Sequence, residues 1–416
     1  MKVLFIISTF PKLSETFILN QMTGLIDAGI EVEILAWNQV FNEKEHKEVE
    51  SYHLLEKTTF IDLPSNKGAR LRKAIVLFFK MLLTHPFLLK ETLNGRKYGQ
   101  IAYSLRLLFS LPYFLNRKSS DAVICHYGPN GNIAAFYKKN RLLKERTMVF
   151  FHGQDVTAFV KKWGEEVYRP LFAQKIELLP VSHFFAKKLT ALGAKQEQID
   201  VHRMGIHLGK IEFVRSIEKK RQQIKLLSIG RLTEKKGMDT VIKMMSCLKK
   251  ASCISVQLTI IGGGGLQQEL EDLSKQLEVA NDIIFAGYKT QSEIDAAIFE
   301  ADLLVQLSRT AESGDMEGIP MVLMEAMARG ILVLSTKHSG IPELVKHNET
   351  GFLVPENAPK EAADEVIRIF SGEVARDKIS YQARQEIERN FNLEKWNEKL
   401  VKRIKVTRED SGFEKN

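Results

Sequence analysis

Four short stretches of the chain carry side chains able to do chemistry. The first is Glu317-Gly318-Ile319-Pro320-Met321-Val322-Leu323-Met324-Glu325. Proline suits the first position of a helix, where its missing N–H would be unbonded anyway, so residues 321–329 are predicted helical. The amides of such a first turn, from Gly318 and Ile319 to Met321 and Val322, favour an anion. Glu317 precedes the helix and Glu325 lies about one and a half turns into it; at about 1.5 Å per residue the acids bracket an anion site several Å across. That arrangement suits a sugar nucleotide, one carboxylate taking the ribose diol and the other the sugar hydroxyls. The plainer alternative is an acid capping the helix and an acid on its flank.

The second stretch, Gly230-Arg231-Leu232-Thr233-Glu234-Lys235-Lys236-Gly237, directly follows a strand candidate. Arg231 and Lys236 can neutralise a diphosphate through charge-assisted contacts; otherwise this is a surface turn with ordinary cations. The third is Ile261 with Gly262, Gly263, Gly264 and Gly265, where small residues permit close backbone approach to a ligand. It does not meet the dinucleotide pattern GxGxxG, which argues against NAD. The fourth is His152-Gly153-Gln154-Asp155, with His126 similarly placed after another strand candidate. These residues can position hydroxyls or stabilise charge; alternatively, His152 and Asp155 bond within a local turn and His126 is a packed histidine.

The elements that must position these residues alternate between strand and helix. Strand candidates are Val3–Ser8, Val32–Trp37, Ala122–His126, Thr147–Phe151 and Leu178–Ser182, then Lys225–Gly230, Val256–Gly262, Ile283–Gly287, Leu303–Leu307 and Ile331–Ser335. Alternation repeated twice predicts an α/β protein with two doubly wound parallel sheets. The division expected is 1–208 and 209–391, with a final helix in 392–416 packing back on the first domain. Ligands of such sheets bind outside the carboxyl ends of the strands, and two facing domains would place a cleft there.

Together these motifs resemble retaining glycosyltransferases of family four, which have the GT-B fold of two facing Rossmann-like domains. The carrying residues are Glu317 and Glu325 with seven residues between them, GRLTEKKG at 230–237, IGGGG at 261–265 and HGQD at 152–155. The strip 308–330 and the opening STFPKLSETFI at 8–18 are similar to enzymes of bacterial exopolysaccharide assembly of the colanic-acid type. The resemblance implies that Arg231 and Lys236 contact the donor diphosphate and Glu325 the ribose. It places Glu317 at the donor sugar, His152 near the anomeric carbon, and Gly262–Gly264 and Tyr288 near base and ribose. Many relatives carry a glycine-rich turn after the first strand. Here Ser8-Thr9-Phe10-Pro11 stands there, followed by Ser14 and Glu15, so acceptor-side roles for Ser14, Glu15, His126 and Asp155 are not copied from those relatives.

The expected reaction moves a sugar from a UDP- or GDP-linked donor to a saccharide acceptor, with anomeric configuration retained. Stabilising the departing diphosphate is its main electrostatic task, and Arg231, Lys236 and the amides after Gly318 can do this without a metal. Asp315-Met316-Glu317 imitates a metal-binding Asp-x-Asp, but Glu317 already belongs to the other motif; no metal or other cofactor is expected. Same-face attack is favoured over a covalent intermediate. A sugar-nucleotide 2-epimerase on the same scaffold, or a non-catalytic nucleotide-sugar-binding protein, are the competing readings.

Composition bounds this picture. The 416 residues are 44% apolar and 27% charged, which excludes a disordered chain or a disulfide scaffold. Cys125, Cys247 and Cys253 form no CxxC pair, pointing to a reducing compartment and away from structural zinc. Val3–Ile7 is too short for the apolar region of a signal peptide, so a cytoplasmic protein is expected. The net charge of +9 is concentrated in 67–118, which holds eleven Lys and Arg against Glu91 alone. That segment is also rich in Leu, Phe and Ile at helical spacing. Amphipathic helices able to lie on an anionic membrane are expected, serving a polyprenyl-diphosphate-linked acceptor at the inner face, unless they are core-packed helices with solvated cations. No nucleic-acid-binding pattern accompanies the charge.

Overall fold

The computed structural model describes residues 1–12, 15–40, 46–64, 66–209, 211–213, 223–251 and 255–405. The opening run forms strand β1 (Lys2–Phe10), with Val3–Ile7 buried. An unbroken apolar run suits a strand covered on both faces, as in a parallel sheet. With it pair β2 (Glu31–Gln39), β3 (Thr58–Phe60), β4 (Ala122–His126), β5 (Arg146–Phe151) and β6 (Glu177–Pro180), in the order β3-β2-β1-β4-β5-β6. All these pairings are parallel; Val3 faces Val32 on one side and Ala122 on the other.

The second sheet contains β7 (Ile224–Ile229), β8 (Val256–Ile261), β9 (Ile283–Gly287), β10 (Leu303–Gln306), β11 (Leu332–Thr336) and β12 (Phe352–Val354). Its order is β12-β11-β10-β7-β8-β9, again all parallel. Read from β9, this is the order of the first sheet. The strand order reverses between β1 and β4 and between β7 and β10, and loops at such points form the ligand crevice of open α/β sheets. The strand pattern of the sequence omits β3 and β12. Each is three residues long and lies at a sheet edge, too short to display a period.

Alternation within the strands of the second sheet builds two separate cores. Leu226, Val305 and Leu334 point to one face, covered by the helices Met238–Ala251 and Pro359–Phe370. Leu227, Leu304 and Val333 point to the other, covered by Met321–Arg329 and Arg376–Asn390.

The chain divides into two compact units. One holds Met1–Val181, Phe185–His202 and the stretch beginning at Glu394; the other holds Ser182–Phe184 and Arg203–Leu393. Apart from Ser182–Phe184, the change from the first unit to the second falls between His202 and Arg203. Arg203 pairs with Glu343 at 3.2 Å, and Ile206 joins the second unit's core, which draws these residues across. The helix Leu393–Lys405 returns to the first sheet: Trp396 meets His202 with ring centres 4.9 Å apart, and Arg403 donates to Glu177 at 3.0 Å.

Candidate active site

In the second unit, the turn after β7 runs from Gly230 through a short 3-10 segment, Glu234–Lys236, to Gly237. Gly237 has φ +64°, and a Cβ there would lie 1.9 Å from the Leu307 carbonyl oxygen, so only glycine lets this turn press against the end of β10. The contact is stitched by Gln306 donating to the Lys236 carbonyl and the Arg309 amide donating to that of Lys235, both at 3.0 Å. Lys235 and Lys236 are thereby aimed at the loop that follows β10. The Lys236 ammonium lies 3.0 Å from Glu317 Oε2, and that of Lys235 lies 3.0 Å from Asp315 Oδ2. The Asp-x-Asp-like pair is thus matched acid by acid to two lysines. Among the described residues, no group of three or more His, Cys, Asp or Glu is arranged to hold a metal ion.

Burial acts to raise the Glu317 pKa, but Lys236, Lys235 and Arg231 together outweigh it and hold the carboxyl below its ordinary value. Arg231, though exposed, thus acts on the same acid. The loop is fixed from behind by His338, fully buried, whose Nε2 accepts the Glu317 backbone N–H at 3.0 Å. Its proton therefore sits on Nδ1 and is shared with Glu356 at 2.6 Å, and Glu356 also accepts the Thr310 amide at 2.8 Å. Sequence reasoning singled out neither His338 nor Glu356. Their only signal is position, just beyond the ends of β11 and β12.

Pro320 does not open the helix. It is the residue before Met321–Arg329, with extended ψ of 126°, and its side chain makes no capping hydrogen bond to that helix. Glu317 therefore acts as the partner of Lys236, not as a cap. Glu325, on the helix, has other charged neighbours, Arg329 and Asp295. Burial raises its pKa to about 7, with Arg329 pulling down and Asp295 pushing up. Arg329 and Asp295 themselves pair at 2.5 Å. The glycines after β8 serve packing between turns. A Cβ on Gly262 would lie 2.0 Å from the Gly230 oxygen, one on Gly264 2.5 Å from that of Leu232, and one on Gly263 2.5 Å from the Tyr288 ring. Tyr288 is otherwise well exposed.

In the first unit, the turns after β4 and β5 are tied together by Asp155. Its Oδ1 accepts the amides of His152 and Gly153 at 3.0 and 2.9 Å, and its Oδ2 that of Gly128 at 3.1 Å. Burial raises its pKa to about 6 against those three bonds. A carboxylate so engaged holds the turns in place; it does not present itself to an acceptor. His126 has no exposed surface. It lies between the rings of Phe5 and Phe150, with its Nδ1 3.0 Å from His152 Nε2. Enclosed in this way, His126 has no surface of its own to offer a ligand.

Burial lowers the His126 pKa well below the ordinary value and that of His152 to about 3, so the pair is neutral. Among the described residues His126 Nε2 meets no hydrogen-bond partner, and a buried N–H without a partner is costly. The hydrogen-bond network therefore assigns the His126 proton to Nδ1, donated to His152 Nε2, and leaves the His152 proton on its own Nδ1. Phe17 and Tyr127 pack on His152 with ring centres at 4.6 and 4.8 Å. Tyr127 donates to Glu15 at 3.0 Å, and Lys12 pairs with the same carboxylate at 2.5 Å. Tyr127 was not singled out from the sequence; Ser14 lies outside the described residues.

The pattern of the family described as Glycosyl transferases group 1 matches residues 210–386, which include Arg231, Lys236, Glu317 and Glu325. Over nearly the whole chain the protein is 36% identical to the amylovoran biosynthesis glycosyltransferase AmsK of Erwinia amylovora, covering 94% of this chain and 96% of AmsK. The chain belongs to the group 1 glycosyltransferases. It is also 33% identical to WcaL of Escherichia coli (strain K12), provisionally named a colanic acid biosynthesis glycosyltransferase, covering 96% of this chain and 98% of WcaL. Among solved structures, Anabaena HepE in complex with UDP and glucose has a TM-score of 0.69 at 17% identity, covering 97% of this chain and 99% of HepE. Sucrose-phosphate synthase from Thermosynechococcus elongatus has a TM-score of 0.72 at 16% identity, covering 97% and 98%. These likenesses show the fold, the α/β GT-B class with two Rossmann-like units.

Proposed function

We propose that this group 1 glycosyltransferase transfers a sugar, with retention and without a metal, from a UDP- or GDP-linked donor to a lipid-linked saccharide in bacterial exopolysaccharide assembly. Donor binding is assigned to the second unit, and acceptor binding, with His152, to the first. The observation that carries the donor assignment is the convergence of Lys236, Arg231 and Glu317 where the strand order reverses, at the ends of β7 and β10. An ammonium has three N–H donors, so Lys236 can hold Glu317 and a phosphate oxygen at once. Its charge and that of Arg231 stabilise the diphosphate as the glycosidic bond breaks. Glu317, kept ionised by its cations, accepts hydrogen bonds from the donor sugar, and Glu325 accepts them from the ribose. Neutral His152, protonated on Nδ1, is a hydrogen-bond donor and not a base. The leaving phosphate oxygen then takes the acceptor proton in a same-face attack. The exopolysaccharide assignment rests on the names of AmsK and WcaL, and a uridine donor on the ligand of HepE.

The test is a panel of nucleotide sugars scored for binding and for nucleoside diphosphate release, with Glu325→Ala as control. Release that requires a saccharide acceptor supports transfer. An altered sugar with little nucleotide released would instead establish an epimerase.

A further inference from the structure

The segment 67–118 separates into two kinds of helix. Arg106–Asn116 is core: Leu107, Leu108, Phe109, Leu111 and Phe114 are buried, and Phe114 stacks on Tyr137 at 3.8 Å. Lys67–Thr84 is different. Of its eighteen residues only Ala74 and Met81 are buried. Leu71, Ile75, Val76, Phe79, Leu82 and Leu83 are exposed, Leu83 at 86% of its surface, and Phe87 just beyond the helix at 87%. At about 100° per residue these six helix positions span one arc of about 140°. Arg72 lies within that arc, and Lys80 and Lys73 lie along one border; Arg72 and Lys80 are exposed. A monomeric soluble protein seldom leaves so continuous an apolar strip in water.

We propose that the exposed face of Lys67–Thr84, continued by Phe87, docks in the interface of an anionic phospholipid bilayer. The strip would lie among the upper acyl chains, with Arg72 and Lys80 reaching headgroup phosphates. Charge complementarity selects this occupant. The helix itself carries five cations, Lys67, Arg70, Arg72, Lys73 and Lys80, and no acid; Lys73 pairs with Asp62, and the remaining field suits anionic headgroups and opposes pairing with a second copy of itself. Among the described residues no helix is long and apolar enough to cross a membrane, which fits a helix lying in the interface. The proposal stands apart from the transfer reading, because docking needs no sugar.

The full chain is tested by co-sedimentation with vesicles of phosphatidylcholine alone and with phosphatidylglycerol added. Expected is binding that needs the anionic lipid and weakens as salt rises. Arg72→Gln with Lys80→Gln should lower partitioning about 25-fold. Leu83→Gln with Phe87→Gln, both at fully solvated positions, should lower it about a hundredfold. Nucleotide-sugar binding should be unchanged in both double variants, so a fault in the donor reading would show in that measurement alone. Absence of sedimentation, or sedimentation indifferent to both variants, overturns the proposal. So does a self-association by ultracentrifugation that Leu83→Gln with Phe87→Gln abolishes while vesicles go unbound, because the face would then belong to a second copy.

Discussion

The two sheets share one strand order, yet the loops that follow their strands carry opposite chemistry. At the ends of β4 and β5 the side chains are neutral rings: His126 and His152 joined at 3.0 Å, with Phe17 and Tyr127 packed on His152. At the ends of β7 and β10 they are full charges, Lys235 with Asp315 and Lys236 with Glu317. Topology fixes where a ligand binds in such folds. Residue chemistry decides what is bound. In the function proposed, the charged loops take the diphosphate, and the neutral rings face sugar hydroxyls, which are recognised by hydrogen bonds and ring contacts.

The largest effect expected from breaking this contrast follows Lys236→Met. The substitution keeps the stem of the side chain, removes the cation beside Glu317, and should lower kcat about 100- to 1,000-fold. A change in KM alone would mean that Lys236 binds without stabilising the leaving group.

Next comes the neutral pair. His126→Phe preserves the ring stack and removes the donor to His152. It should cost about 1–3 kcal/mol of stability by urea unfolding, with a smaller fall in kcat. The pH dependence of stability sharpens the same point. His126, His152 and His202 have pKa values lowered by burial, the last two to about 3, against an ordinary 6.5. The unfolded chain therefore takes up protons that the native one refuses, and these groups make stability fall as pH drops from 6.5 toward 3. The His126→Phe profile should be flatter across that window; an unchanged slope would contradict neutral burial.

Glu325 answers pH with the other sign. Its native pKa of about 7 lies above the ordinary 4.5, so its contribution is present below 4.5 and lost as pH rises to 7. If the ionised form accepts the ribose diol, donor affinity should rise severalfold as pH passes through about 7. Glu325→Gln should flatten that curve, as read by calorimetry, whereas a persisting pH dependence would detach Glu325 from the donor. This is the smallest of the expected effects.

The long apolar strands were legible because continuous buried runs such as Val3–Ile7 survive any choice of neighbour. The edge strands β3 and β12 were not, because pairing alone defines three residues of strand. In the site, Arg231 and Lys236 were legible as charges just beyond a strand, and Glu317 as an acid just before the helix that follows Pro320. His126 carried the same signal, yet its rings of contact, Phe5 and Phe150, come from neighbouring strands of the sheet. No spacing within its own segment reveals that enclosure. His338 was missed for the converse reason: its partners, the Glu317 amide and Glu356, come from two separate loops.

Sequence alone determined the alternation that builds two parallel sheets, the residue types standing at their carboxyl ends, and the crowding of cations into 67–118. It also determined family membership, through likeness along the whole chain. Only the tertiary structure decided which of those residues meet. Adjacent parallel strands can be far apart in the chain, so β7 and β10 bring Lys236 to Glu317 by sheet order and not by any local period. The same holds for exposure. Whether an apolar helix face is core, as in Arg106–Asn116, or open, as in Lys67–Thr84, depends on what packs against it, and no amphipathic pattern records that.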